Sequence, residues 1–108
     1  MIKNKLFVLV GSLKFWDKIQ EMYEKLELSG YAVIGITPHI KAEDYTDEEA
    51  DLLDELQMSK IEKADGIFVI NVNGYIGYST RKEIEFAKSR NKEILYLEQK
   101  IWINNFFY

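Results

Sequence analysis

ADGIFVINVNGYIGYSTRKEIEFAKSRNKEILYLE, residues Ala64 to Glu98, reads as strand, glycine loop, helix and strand, one complete βαβ unit in about thirty-five residues. Its first strand, Gly66 to Val72, is an apolar run without alternation, the pattern of a parallel strand covered on both faces. Asn71-Val72-Asn73-Gly74 ends it. The loop from Asn73 to Tyr78 holds Gly74 and Gly77, whose tolerance of positive φ lets backbone N–H groups turn toward a common point. Ser79 and Thr80 then open a helix, and the unpaired N–H groups and partial positive charge of a helix start favour a phosphate or another anion. Glu83 lies one turn inside. Thr80-x-x-Glu83 fits a capping box, in which the carboxylate reaches back to the cap residue's N–H. It fits equally a reactive carboxylate at the carboxyl end of a parallel strand, where open α/β sheets carry their chemistry. Spacing alone leaves both readings open.

The rest of the composition bounds what this unit belongs to. A chain of 108 residues makes one domain, 1–108, with room for a single core. Its 47% hydrophobic and 14% aromatic content is that of a folded globule and excludes a disordered chain. A net charge of -4 argues against a polymeric nucleic acid as partner, while a small ligand stays open. With no cysteine there is no disulfide framework and no thiolate metal site. Leu6 to Val10 faintly imitates the core of a signal peptide, but it is shorter than the roughly 7–15 residues required, and Lys14 and Asp17 follow at once. No run approaches the roughly 20 apolar residues of a membrane span, so the expectation is a cytoplasmic protein with no membrane partner.

Working outward, Leu6 to Val10 predicts a buried first strand, and Gly11-Ser12 turns it into a helix from about Lys14 to Leu28 whose apolar face is Phe15, Ile19, Met22, Tyr23 and Leu26. Ser29-Gly30 stops that helix, and Tyr31 to Ile36 predicts the second strand. Thr37-Pro38-His39 follows, with Pro38 ending the ladder and His39, the one histidine, aimed at the same sheet edge as a possible base or leaving-group contact. Eight carboxylates fall between Glu43 and Glu55, but Thr46-x-x-Glu49 is a capping box and acids suit a first helical turn, so no metal is expected. Ala50, Leu53, Gln57, Ile61 and Ala64, with Leu56 alongside, make the buried stripe of this helix. Gln57 is the polar residue on it, and it must either tie to a structural partner or reach into a pocket. Asp65, before the third strand, reads as structural. After the helix bearing Glu83, with Ile84, Ala87 and Phe86 toward the sheet, Glu93 to Leu97 predicts the fourth strand. The aromatic tail within residues 98–108 is expected to add an edge strand or to pack on a second copy.

Strands alternating with helices give an α/β, three-layer, flavodoxin-like or Rossmann-like parallel sheet with right-handed crossovers and strand order 2-1-3-4. In that order the turns after the first and third strands face each other at the switch point. Gly11-Ser12 then stands opposite Gly74 to Thr80 across a ligand crevice.

On these residues the chain resembles a known family. VGSLKFWDKIQEMYEKLELSGYAVI and LDELQMSKIEKADGIFVINVNGYIGYSTRKEIEFAKSRNKEILYLE look like the small bacterial and phage branch of the nucleoside 2-deoxyribosyltransferase superfamily. The most specific element is GYIGYSTRKEIEFA. The resemblance implies a catalytic nucleophile at Glu83, a hydroxyl-bearing loop at Ser79 and Thr80 that holds the sugar or its 5′-phosphate, and further substrate contacts at Gly11, Ser12, Gln57, Asn73, Gly74 and Gly77. Superfamily enzymes often carry a carboxylate, and close relatives of this branch a histidine, where this sequence has Gln57, and an amide cannot protonate a leaving base. The chain is also shorter than the best-studied transferases, which implies a homodimer or higher homo-oligomer whose aromatic tail completes the pocket.

The implied reaction is cleavage or transfer at the N-glycosidic bond of a nucleoside or nucleoside 5′-monophosphate, with no metal and no cofactor. Glu83 would attack the anomeric carbon as the base leaves, and water or a second base would release the glycosyl ester with net retention. Gln57, His39 or Asp54 would contact the base, and Lys14 or Arg81 would neutralise a 5′-phosphate. Two other classes share the pattern: a nucleotide-binding sensor with Glu83 as cap and Gln57 as base reader, and a protein acting through its aromatic tail.

Overall fold

The computed structural model describes residues 1–38 and 42–98, together with the backbone of 102–103 and 106–107. Strands β1 (Leu6–Gly11), β2 (Ala32–Ile34), β3 (Gly66–Ile70) and β5 (Glu93–Tyr96) form one parallel sheet in the order β2-β1-β3-β5. This is the expected order 2-1-3-4, renumbered because a two-residue strand β4 (Tyr75–Ile76) precedes the fourth one. Helix α1 (Trp16–Leu28) covers one face of the sheet, and α2 (Asp47–Lys63) and α3 (Tyr78–Ser89) cover the other, completing three layers.

Alternation along the central strands divides the core. Val8, Val10, Ile67 and Val69 pack under α2 and α3 with Ile61, Ala64, Ile84 and Ala87. Leu9, Phe68 and Ile70 pack on the other face with Ile19, Leu26 and Val33. All five residues of β3 are buried, as two-sided cover requires of an unbroken apolar run. The apolar face expected for α1 is the one observed, since Phe15, Met22 and Tyr23 join Ile19 and Leu26 in the second core. Gly66 admits no side chain, because a Cβ there would meet the Glu93 carbonyl and the Phe7 ring across the neighbouring strands.

At the amino edge of the sheet, Asp65 is structural as expected: its Oδ2 accepts from the Leu6 N–H at 2.7 Å. The capping box of α2 is also present, Thr46 Oγ1 accepting from Glu49 N–H at 3.1 Å and Glu49 Oε1 from Thr46 N–H at 3.0 Å. The stripe of α2 departs from expectation in its first half, where Ala50 and Leu56 are exposed. Only the later turns press on the core, through Met58, Ile61 and, at the end of the helix, Ala64.

Strand β3 stops two residues early, at Ile70. Asn71 turns the chain into a short 3-10 turn, Val72–Gly74, in which Asn73 and Gly74 take φ of 56° and 79°. The fully buried Asn71 side chain closes that turn against the segment that follows β5: Nδ2 donates to the Glu98 carbonyl at 3.0 Å and Oδ1 accepts from the Glu98 N–H at 2.9 Å. Among the described residues, the aromatic tail does not extend the edge of the main sheet. Its strands β6 (Trp102–Ile103) and β7 (Phe106–Phe107) form a second small sheet with β4, β6 running parallel to Tyr75–Ile76 and β7 antiparallel to β6. Strand β4 leaves the glycine loop with its backbone groups unpaired to the main sheet, and those groups supply the ladder that the tail joins.

Candidate active site

The carboxyl ends of β1 and β3 open into a cleft of about 590 Å³ between the start of α3 and the inner face of α2. Val10, Gly11 and Ser12 line it from β1 and its turn, Leu53, Asp54, Gln57 and Lys60 from α2, and Gly77, Ser79, Thr80 and Glu83 from α3 and its cap. Its place is the topological switch point, where the crossover after β1 leads to β2 and the crossover after β3 leads to β5 in the opposite direction, so that their turns separate.

Glu83 is the central charged group. It is 9% exposed, and Gln57 Nε2 donates to its Oε2 at 2.7 Å. Burial pushes its carboxyl up to about 7; the Gln57 hydrogen bond opposes that by favouring the anion, and the Asp54 charge adds to it. The capping-box reading of Thr80 and Glu83 is therefore corrected. Helix α3 begins at Tyr78 with Gly77 as its cap residue and no side-chain cap, so Thr80 is already inside the helix and the Glu83 carboxylate turns across to α2. Gln57 is thereby explained as well: the polar residue of the α2 stripe meets the carboxylate buried beneath it.

The other expected site residues divide by location. Gly11, Ser12, Gly77, Ser79, Thr80 and Asp54 line the cleft. Ser12 also serves its own turn, Oγ accepting from the Lys14 N–H at 3.3 Å. Thr80 is 4% exposed and presents its short side chain at the cleft wall. Asn73 and Gly74 do not line it. Their amides are taken up by the fold, Asn73 N–H donating to Glu98 Oε2 at 2.6 Å and Gly74 N–H to the Asn71 carbonyl at 2.8 Å, so this part of the loop is a structural latch and not an anion nest. Gly77 is extended at φ -80°, so its place here comes from the absence of a side chain near the Tyr75 ring.

Neither proposed phosphate cation lines the cleft. Lys14 is not a lining residue; its Nζ sits 3.5 Å from the centroid of the Tyr75 ring, a cation–π contact with a residue of the wall. Arg81 Nε is buried without a hydrogen-bond partner and lies 3.8 Å from Glu85 Oε1 along its own helix. His39 lies outside the described residues. Among the described residues no group of acidic or histidine side chains has the arrangement of a metal site.

Sequence reading passed over Lys60, Thr37, Tyr75, Tyr78 and Lys82, all of which line the cleft. Lys60 was within reach, since Asp54, Gln57 and Lys60 fall three residues apart and share a helical face. Thr37 had no such signal, because only the crossing of α2 over the end of β2 brings it to Lys60, whose Nζ donates to Thr37 Oγ1 at 3.2 Å.

No protein-family model matches the chain, and no curated protein sequence does. Among solved structures it is similar to the CMP N-glycosidase BcmB of Clostridium botulinum, with 20% sequence identity and a TM-score of 0.56, over 85% of this chain and 67% of that one. At that identity the likeness is one of fold, and it is to the same parallel α/β architecture that β1, β2, β3 and β5 build here.

Proposed function

We propose that the chain cleaves, or transfers at, the N-glycosidic bond of a nucleoside or nucleoside 5′-monophosphate, with Glu83 as nucleophile. The observation that carries this reading is the Glu83 carboxylate, buried at the cleft wall and fixed by Gln57 at 2.7 Å. A carboxylate suits this bond because it first stabilises the oxocarbenium-like charge on the anomeric carbon and then bonds to it. Ser79 and Thr80, one turn earlier on the same helix, lie where a sugar hydroxyl or phosphate would meet the uncapped start of α3. A fold shared with an enzyme named as a CMP N-glycosidase supports the reading and puts CMP on the substrate panel.

The test is chromatographic detection of free base from ribo- and 2′-deoxyribonucleosides and their 5′-monophosphates. Wild type is expected to release base from at least one, and Glu83→Gln to lose roughly 10³-fold or more of that rate. Equal rates in the two proteins would refute Glu83 as nucleophile.

A second reading, a nucleotide-binding module, is favoured by two features. Gln57 offers the departing base no proton, and a carboxyl held near 7 is partly protonated at neutral pH. Wild-type protein that melts higher with a nucleotide yet releases no base from any panel member would select this reading.

A further inference from the structure

We infer that Lys60 is the group that stabilises the departing base, giving the site a cationic hydrogen-bond donor where a proton-donating acid would otherwise stand. The inference rests on the glycosidase reading above and extends it to the leaving-group side of the cleft.

The order of groups along the cleft carries the argument. Ser79 and Thr80 stand at the start of α3 and Glu83 one turn on, Gln57 reaches Glu83 from α2, and Lys60, one turn farther along α2 than Gln57, joins Thr37 from the segment after β2. A sugar whose anomeric carbon meets Glu83 and whose 5′ end meets the start of α3 directs its base toward Gln57, Lys60 and Thr37. When the C1′–N bond breaks, its electron pair goes to the base, while a Glu83 oxygen forms the new bond to C1′. The base nitrogen then carries negative charge that must be met by a donor. One of the two Gln57 amide N–H groups is engaged by Glu83 at 2.7 Å, and the other is a neutral donor that transfers no proton. Asp54 lines the same wall, but a carboxylate accepts hydrogen bonds and donates none.

Lys60 has the required properties. Its ammonium is aimed by one neutral partner, Thr37 Oγ1 at 3.2 Å, and has no carboxylate at ion-pair distance among the described residues. The two ammonium protons left over can meet a ring nitrogen or the carbonyl oxygen beside it. Lys82, the other cleft-lining lysine, lies on the exposed side of α3 with Nζ 4.9 Å from the Tyr78 ring centroid, at the sugar end. The released base takes a proton from solvent, and water hydrolysing the Glu83 ester returns one, so the net reaction consumes one water.

The experiment compares kcat/KM of wild type, Lys60→Met and Lys60→Arg on pairs of 5′-monophosphates that differ only in how readily the base leaves. The pairs are 2′-deoxyuridylate with its 5-fluoro derivative, and 2′-deoxyadenylate with its 8-aza derivative. On the poorer leaving group of the cleaved pair, Lys60→Met is expected to fall about 10²-fold, and on the better one less than about tenfold, with Lys60→Arg recovering most of the loss. Equal losses on both members, or none, overturn the role of Lys60 while leaving the glycosidase reading intact. Where wild type cleaves only another member of the panel, such as CMP, that nucleotide and its ring-fluoro or aza derivative form the pair, and wild type silent on the whole panel overturns that reading and this inference together. Unchanged melting temperatures across the three proteins show that a selective loss is not a folding defect.

Discussion

Replacing Glu83 by glutamine should make the protein more stable, and more so the higher the pH. The carboxyl of Glu83 ordinarily titrates near 4.5 and is pushed to about 7 in the folded chain by burial, with the Asp54 charge adding and Gln57 opposing. Below 4.5 both folded and unfolded chains hold the proton and the group makes no difference. Between 4.5 and about 7 the unfolded chain releases it first, so stability falls as pH rises, and above that range the whole cost of a buried charge is present. A shift from 4.5 to about 7 corresponds to about 3 kcal/mol. At pH 5 only about 1 kcal/mol of that is expressed, and at pH 8 nearly all, so the change between the two is about 2 kcal/mol. The substituted amide carries no charge at either pH, and its oxygen can still accept from Gln57. For a chain of this length the difference corresponds to roughly 9 °C in melting temperature. Thermal melts of both proteins at pH 5 and pH 8, followed by circular dichroism, read it directly, because every other titrating group cancels in the comparison. An advantage of Glu83→Gln that is the same at both pH values, or smaller at pH 8, would refute the argument that Glu83 is a desolvated acid.

Three further outcomes rest on the same geometry. If the nucleophile must be ionised, kcat/KM should rise with pH through about 7, and Gln57→Leu should move that limb upward, since it removes the hydrogen bond that favours the anion; a pH–rate profile reads both, and a limb unmoved in Gln57→Leu would contradict the pairing. Asn71→Ala should cost about 2 to 3 kcal/mol in urea unfolding, because it strands the Glu98 N–H and carbonyl and leaves a small cavity. Thr46→Ala should cost about 1 kcal/mol in the same assay through loss of the α2 cap, with base release unchanged.

Much of the fold was legible in local pattern. The unbroken apolar runs of β1 and β3, the α1 stripe from Phe15 to Leu26, and the Thr46 box were all readable because each is a property of neighbouring residues: period, cap chemistry and burial on two sides. The switch point between β1 and β3 followed from handedness and order, which chain chemistry imposes on any alternating α/β sequence. Where local signals had two meanings, the reading stayed divided. Thr80-x-x-Glu83 is a capping box by spacing, and only the start of α3 at Tyr78 and the approach of Gln57 across the cleft decide that Glu83 faces the site.

By itself, then, the sequence determined a parallel α/β sheet, its strand order, and a carboxylate near the helix start that follows β3. Tertiary structure decided everything that depends on which distant groups meet. It took the Asn73 and Gly74 amides away from any ligand by tying them to Glu98 and Asn71. It drew Lys14 onto Tyr75, and it set Lys60 against Thr37 on the cleft wall. The described strand Trp102–Ile103 of the tail joined Tyr75–Ile76 and not the main sheet. The physical reason is the same in each case: propensity and period act over a few residues, whereas hydrogen-bond partners and burial are settled by whichever chain segments the packed layers bring together, and those segments lie tens of residues apart.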